Sequence, residues 1–127
     1  MNISKFTQKS MEAVQNCEKL AYEYGNQQIE QEHLFYSLLT LDDSLIKKLL
    51  VKMEIQPEYF MNRVEEALNK KVKVSGDTKL YVSNDLNKVL VNAEDEAKQM
   101  GDEYVSVEHL FLALIKYANK GVKELFK

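Results

Sequence analysis

The sequence predicts an all-α protein in which one helical unit is used twice, and three observations lead there. The 127 residues include one proline and no tryptophan, with 45% hydrophobic and 29% charged residues, the balance of an ordinary globular domain. Apolar residues recur three and four apart, the period of a helix with one buried face. The third observation is a repeat, which decides architecture before any single element does. Glu32-His33-Leu34-Phe35-Tyr36-Ser37-Leu38-Leu39 returns 76 residues later as Glu108-His109-Leu110-Phe111-Leu112-Ala113-Leu114-Ile115. The copy extends without a gap: Asn16 falls on Asn92, Glu18 on Glu94, Ala21 on Ala97, Gly25 on Gly101, Lys47 on Lys123 and Leu49 on Leu125.

The elements follow in order. After Phe6, the positions Ser10, Ala13, Val14, Cys17, Leu20, Ala21 and Tyr24 form one stripe, and Gly25 supplies the positive φ of a helix stop. In the second unit Ser83 is the expected N-cap. The stripe there is Leu86, Val89, Leu90, Ala93, Ala97 and Met100, and Gly101 ends it. Each glycine leads into a short loop with one apolar anchor, Ile29 or Val105. The octet helices are expected to begin at Gln31 and Val107. Leu34, Phe35, Leu38, Leu39 and Leu41 cover too much of a helix for a surface element, so this helix is expected to be buried. Asp43 is the expected cap of a third helix carrying Leu45, Ile46, Leu49, Leu50 and Met53. Gln56-Pro57 starts a fourth, with proline in the first turn and Phe60, Val64, Ala67 and Leu68 facing inward.

Residues 70–82 alternate around Ser75-Gly76-Asp77. A lone hairpin is marginal in water, which favours an extended linker. The expected organisation is one domain over 1–127, with repeat one at about 4–70, a linker at about 71–82 and repeat two at about 83–127. The sequence reaches Lys127 within the counterpart of the third helix, and nothing in it corresponds to Pro57 through Lys70.

Several functions are disfavoured. A net charge of −3 gives no basic footprint for nucleic acid, and Lys70, Lys71 and Lys73 read as a solvated linker. No apolar run approaches the ~20 residues that cross a bilayer, and Met1-Asn2-Ile3-Ser4-Lys5 lacks the apolar core of a signal peptide. One cysteine excludes an internal disulfide and suits a reducing cytoplasm. No phosphate loop, dinucleotide fingerprint or nucleophile elbow occurs. Cys17 lies on an apolar stripe and reads as a buried small hydrophobe.

The Glu-His pairs are the one candidate for chemistry. Adjacent helix residues do not face the same way. His33 and His109 are therefore expected to hydrogen-bond to a neighbouring helix end rather than to bind a metal. Glu32 and Glu108 fall in the first turn, where a carboxylate complements the helix dipole by ~0.3–1 kcal/mol and is usually exposed. Thr7, Asp102 and Glu108 are expected to share one surface, an acidic spot beside an apolar groove suited to a basic or unfolded segment.

With the doubled octet and its glycine-led loops, the chain resembles the Clp amino-terminal domain, the double repeat that opens the large AAA+ chaperones. The resemblance runs from Phe6-Thr7 to Phe126. Its most specific stretches are Val82-Ser83-Asn84-Asp85-Leu86-Asn87-Lys88-Val89-Leu90 and Gly101-Asp102-Glu103-Tyr104-Val105-Ser106-Val107-Glu108-His109-Leu110. It is similar to the ClpB branch more than to the ClpC branch, which usually has glycine-threonine before each Glu-His where this sequence has Glu30-Gln31 and Ser106-Val107.

The resemblance implies two pseudo-symmetric repeats of about four helices in one monomeric domain, the second cut short. It implies that ATP and magnesium belong to ATPase modules of a hexameric cytoplasmic parent, and that this domain hydrolyses nothing. It implies a module that engages unfolded or aggregated polypeptide and, in some branches, adaptor proteins, with no nucleic-acid or membrane partner. By the same resemblance Thr7, Asp102 and Glu108 handle substrate, and Leu90 occupies a groove position near Asn92. In the ClpC branch the residues matching Glu32 and Glu108 receive phosphorylated arginine. A phosphoarginine- and adaptor-binding domain of a protease subunit is thus one alternative, and a stand-alone helical-repeat scaffold is another.

Overall fold

Thr7 and Ser83 start the two longest helices in the same way. In the computed structural model, which describes residues 3–42, 44–75 and 79–126, Thr7 Oγ1 accepts the Ser10 N–H at 3.2 Å and Ser83 Oγ accepts the Leu86 N–H at 3.0 Å. These caps open α1 (Gln8–Glu23) and α5 (Asn84–Gln99), each 16 residues long. Both helices end at a glycine with positive φ, 72° at Gly25 and 74° at Gly101. The next N–H then closes the turn, Asn26 onto the Ala21 carbonyl and Asp102 onto that of Ala97, both at 2.8 Å, as a left-handed helix terminus requires.

The octets form α2 (Gln31–Thr40) and α6 (Val107–Lys116), which begin at the residues the repeat predicts. They are followed by α3 (Leu45–Lys52) and α7 (Lys120–Leu125). Ser44 caps α3, its Oγ accepting the Lys47 N–H at 3.3 Å; Asp43, the expected cap, lies outside the described residues. Pro57 opens α4 (Pro57–Asn69) in its first turn, as expected. Among the described residues α4 has no counterpart in repeat two.

The linker end is pinned across the molecule instead of turning back as a hairpin. Strand β2 (Tyr81–Val82) pairs in parallel with β1 (Gln28–Ile29), and a matching bridge joins Phe6 to Val105. The Ser83 N–H donates to the Ile29 carbonyl and the Thr7 N–H to that of Val105, both at 2.9 Å. The segment leading into each repeat therefore binds the loop of the other repeat, which defines a pseudo-twofold relation. The centre of Ser75-Gly76-Asp77 lies outside the described residues.

The core sits between α2 and α6. Phe35 contacts Phe111 edge-on at 5.8 Å, Phe60 at 5.0 Å and Phe126 at 5.7 Å, a cluster that draws on both repeats. Each buried ring contributes roughly 1.5–3 kcal/mol from burial. Helix α4 lies over α2 through Phe60, Val64 and Leu68, all buried. Arg63 reaches on from it and donates to the carbonyls of Leu125 and Glu124, each at 2.9 Å, so it satisfies the last turn of α7. No such helix covers α6 among the described residues. Leu39 in α2 is fully buried, while its counterpart Ile115 is 41% exposed. Ile115, Leu112, Phe111, Met53 and Phe126 line an apolar groove of about 530 Å³. No helix among the described residues is long and apolar enough to cross a membrane.

Candidate functional site

The start of each octet helix is built around its histidine. His33 Nδ1 accepts the Glu30 N–H at 2.9 Å, and its Nε2 faces Asn26 Oδ1 at 3.0 Å. His109 repeats this with the Ser106 N–H at 2.9 Å and Asp102 Oδ2 at 2.8 Å. The third helical residue thus reaches back to its own N-cap, as in a capping box. With Nδ1 accepting, the ring proton is assigned to Nε2. The partners are the helix's own cap and the residue that closes the end of the preceding helix, Asn26 after α1 and Asp102 after α5, so the expected bond to a neighbouring helix end is made. Burial, then the nearby Lys71 charge, lowers the His33 pKa to about 4, against an opposing pull from Glu32. No group of three or more metal-ligating side chains gathers among the described residues. Burial also pushes the Cys17 thiol well above its ordinary value, which keeps it protonated and inert.

The two glutamates have opposite surroundings. Glu32 is only 4% exposed, contrary to the exposure expected of a first-turn side chain. The reason is the linker, which folds back onto it. Lys71 Nζ lies 2.9 Å from Glu32 Oε2 and 3.1 Å from Glu30 Oε2, so Lys71 is a structural cation and not the solvated residue expected. Burial alone would lower the Lys71 pKa; the hydrogen bonds and charges of Glu32 and Glu30 outweigh it and raise it. Asn119 Nδ2 donates to Glu32 Oε1 at 3.3 Å. A side chain at Gly121 would place its Cβ 2.6 Å from Glu32 Oε2, so that position must be glycine while the carboxylate is held there. Gln31 beside it donates to the carbonyls of Asp85 and Tyr117, each at 3.0 Å, and accepts the Asn119 N–H at 2.8 Å. Glu32 and Gln31 thereby brace one repeat against the other.

Glu108 is exposed and makes no hydrogen bond or ion pair among the described residues. Asp102, with 48% of its side chain exposed, uses Oδ2 for His109. Thr7 is half-buried at its cap, where its hydroxyl donates to Ser10 Oγ at 3.0 Å. Its N–H meets the Val105 carbonyl, so Thr7 adjoins the loop that Asp102 and Glu108 flank. Leu90, expected at a groove, is 3% exposed and packs in the core. Asn92 is half-buried and donates to the Lys88 carbonyl at 2.7 Å.

A feature not singled out from the sequence is the outer face of α6. Glu108, Leu112 and Ile115 stand at i, i+4 and i+7, on one side of a helix. Leu112 and Ile115 are 43% and 41% exposed, so the free carboxylate heads an open apolar stripe.

These features define a helical double-repeat domain in which Glu32 is buried and its repeat counterpart Glu108 is exposed. The chain belongs to the Clp repeat (R) N-terminal domain family, which matches residues 5–127. It is 41% identical over 120 residues to the chaperone protein ClpB of Nitratidesulfovibrio vulgaris, covering 91% of this chain and 14% of that protein. The chain thus spans about a seventh of the length of that relative. In fold it is similar to the Hsp104 N-terminal domain of Candida albicans, with a TM-score of 0.85 at 23% identity, over 96% of this chain and 79% of that one. It is also similar to a ClpV N-domain solved in complex with a VipB peptide, with a TM-score of 0.77 at 19% identity over 98% and 78% of the two chains.

Proposed function

We propose that this chain is the substrate-binding amino-terminal module of a ClpB-type chaperone. It engages exposed segments of unfolded or aggregated polypeptide, while AAA+ modules of a hexameric, cytoplasmic parent hydrolyse ATP. The observation that carries this reading is the exposed carboxylate of Glu108, which heads a run of side chains, Leu112 and Ile115, exposed among the described residues. Exposed apolar surface rimmed by polar groups marks an interaction site, and an unfolded segment offers both apolar side chains and cations. Asp102 and Thr7 border the same loop and orient polar or basic groups. The relationship to ClpB supports the reading, as does the ClpV relative with its bound peptide. An adaptor protein offering the same chemistry is a second kind of partner for this face. A phosphoarginine receptor of the ClpC type would use both first-turn glutamates, and the Lys71–Glu32 pair weighs against that.

The test is a titration of labelled, reduced and carboxymethylated α-lactalbumin with the chain and three variants, Asp102→Asn, Glu108→Gln and Ile115→Asp. Removing one exposed charge partner is expected to weaken binding up to about fivefold, the upper end for a surface ion pair. Ile115→Asp should weaken it more, because it places a charge in apolar contact. Identical affinity for all four proteins, or no binding by any, removes the assignment.

A further inference from the structure

Three tyrosines distinguish the end of α1 from its copy in repeat two. Tyr22, Tyr24 and Tyr36 stand where the 76-residue offset places Lys98, Met100 and Leu112. They gather with Glu23, Asn69 and Lys73 around a cleft of about 620 Å³ between the C-terminal ends of α1 and α4. The Tyr24 and Tyr36 rings meet edge-on, with their centres 6.4 Å apart. The Tyr36 hydroxyl donates to Glu65 Oε1 at 3.2 Å, which brings a second carboxylate beside the rings. Burial, then the Glu65 charge, pushes the Tyr36 phenol up to about 12 and raises that of Tyr24 as well, so both stay protonated at pH 7. Helix α1 has no basic residue in its last turn, whereas α5 has Lys98 there. With Tyr22 in that place, the negative end of the α1 dipole lacks a cation of its own helix. Lys73 supplies one from the linker. Its Nζ donates to the Tyr24 carbonyl at 2.7 Å and lies 5.7 Å from the centre of the Tyr24 ring, within the ~6 Å reach of a cation–π contact.

We propose that this cleft, walled by Tyr24 and Tyr36 and flanked by Glu23 and Glu65, is a receptor for a basic side chain: Lys73 fills it within the chain, and an arginine of another polypeptide takes its place. More than acidity points to a ligand. An ammonium group already sits in the cleft, and the aromatic residues around it belong to one repeat only. Aromatic faces carry the negative part of the ring quadrupole, and the carbonyl end of α1 and the two carboxylates add acceptors from the sides. A guanidinium suits that arrangement, because it stacks flat on a ring and donates several N–H groups in one plane. Lys73 uses one carbonyl and one ring. Its side chain is exposed, and contacts of this kind at a surface are weak enough to exchange. The exchange moves a side chain and leaves the backbone in place, since the Val74 N–H stays on the Gly25 carbonyl at 2.7 Å and Lys71 stays on Glu30 and Glu32. The cleft lies on repeat one and uses neither Glu108 nor α6, so it stands apart from the reading given above.

The probe is N-acetyl-arginine amide, titrated at constant ionic strength into the full 127-residue protein and its Lys73→Ala variant and followed by amide NMR. Saturable shifts are expected at Tyr24, Gly25, Tyr36 and Asn69, with a dissociation constant of ~10 mM for so small a ligand. Lys73→Ala should bind about threefold to fivefold tighter, because the resident cation no longer competes. N-acetyl-citrulline amide, which has the same shape and no charge, should fail to saturate. In the Lys73→Ala background, Tyr24→Met and Tyr36→Leu install the residues that repeat two carries at the matching positions. Each should weaken binding about threefold, the loss of an exposed cation–π contact. Glu65→Gln keeps an acceptor for the Tyr36 hydroxyl, so it tests charge without disturbing that bond, and should weaken binding up to about fivefold. No saturation by either protein, equal binding of the citrulline probe, equal affinity of the parent and Lys73→Ala, or indifference to both Tyr24→Met and Glu65→Gln each overturn the proposal. Shifts centred on Glu108 in place of Tyr24 overturn it as well.

Discussion

His33 is a group that the fold keeps neutral. It is fully buried, its Nδ1 is committed as an acceptor, and its pKa is lowered from 6.5 to about 4. Because the folded value lies below the unfolded one, the unfolded chain takes up a proton first as pH falls. Stability is therefore complete above about pH 6.5, declines between there and about pH 4, and levels off below. The full shift corresponds to about 3 kcal/mol. His33→Gln keeps an acceptor for the Glu30 N–H and cannot titrate. Urea unfolding at pH 7 and pH 4.5 should show the variant losing about 2 kcal/mol less than the parent between the two conditions. Equal losses would show that His33 does not govern this window.

At the scale of elements, three helices end by the same turn and one of them uses the wrong residue for it. After α3 the Ile55 N–H closes on the Leu50 carbonyl at 2.9 Å, and Glu54 holds φ at 63°, where α1 and α5 have glycine. A side chain in this region is strained by roughly 1–2 kcal/mol. Glu54→Gly is expected to raise stability by about 1 kcal/mol, read as a higher urea midpoint with an unchanged slope. A lower midpoint would mean that Glu54 contributes contacts worth more than its strain.

Such local signals explain what was legible in the sequence. The starts at Gln31, Val107 and Pro57, the Ser83 cap and the stops at Gly25 and Gly101 each depend on a few neighbouring residues. The ion pair of Lys71 with Glu32 and the exchange of two-residue strands depend on partners with no shared period, and they left no such trace. Leu90 lies where its stripe put it, on the buried face of α5; its groove position was implied by the resemblance alone. The exposure of Glu108 was legible; the burial of Glu32, its repeat partner, was not.

On the scale of the whole molecule, the repeats do not form separate cores. Phe35 joins Phe111 and Phe126 across them, Gln31 bonds to Asp85 and Tyr117, and each leading segment pairs with the other repeat's loop. Unfolding is expected to be one transition, as small domains with a shared core show. Native-state amide exchange should return the same highest opening free energy for α1 and α5. Two separated urea midpoints would refute the shared core.

The pairing of Phe6 with Val105 and of Val82 with Ile29 has the form of an isologous contact between like subunits, in which i meets j and j meets i. Here the two subunits are successive stretches of one polypeptide. Such a tethered dimer does not dissociate on dilution, and neither half has to stay identical to the other. One copy of a duplicated glutamate has become an internal brace, while its twin remains at the surface: a division of labour that two separate, identical chains have no means of encoding.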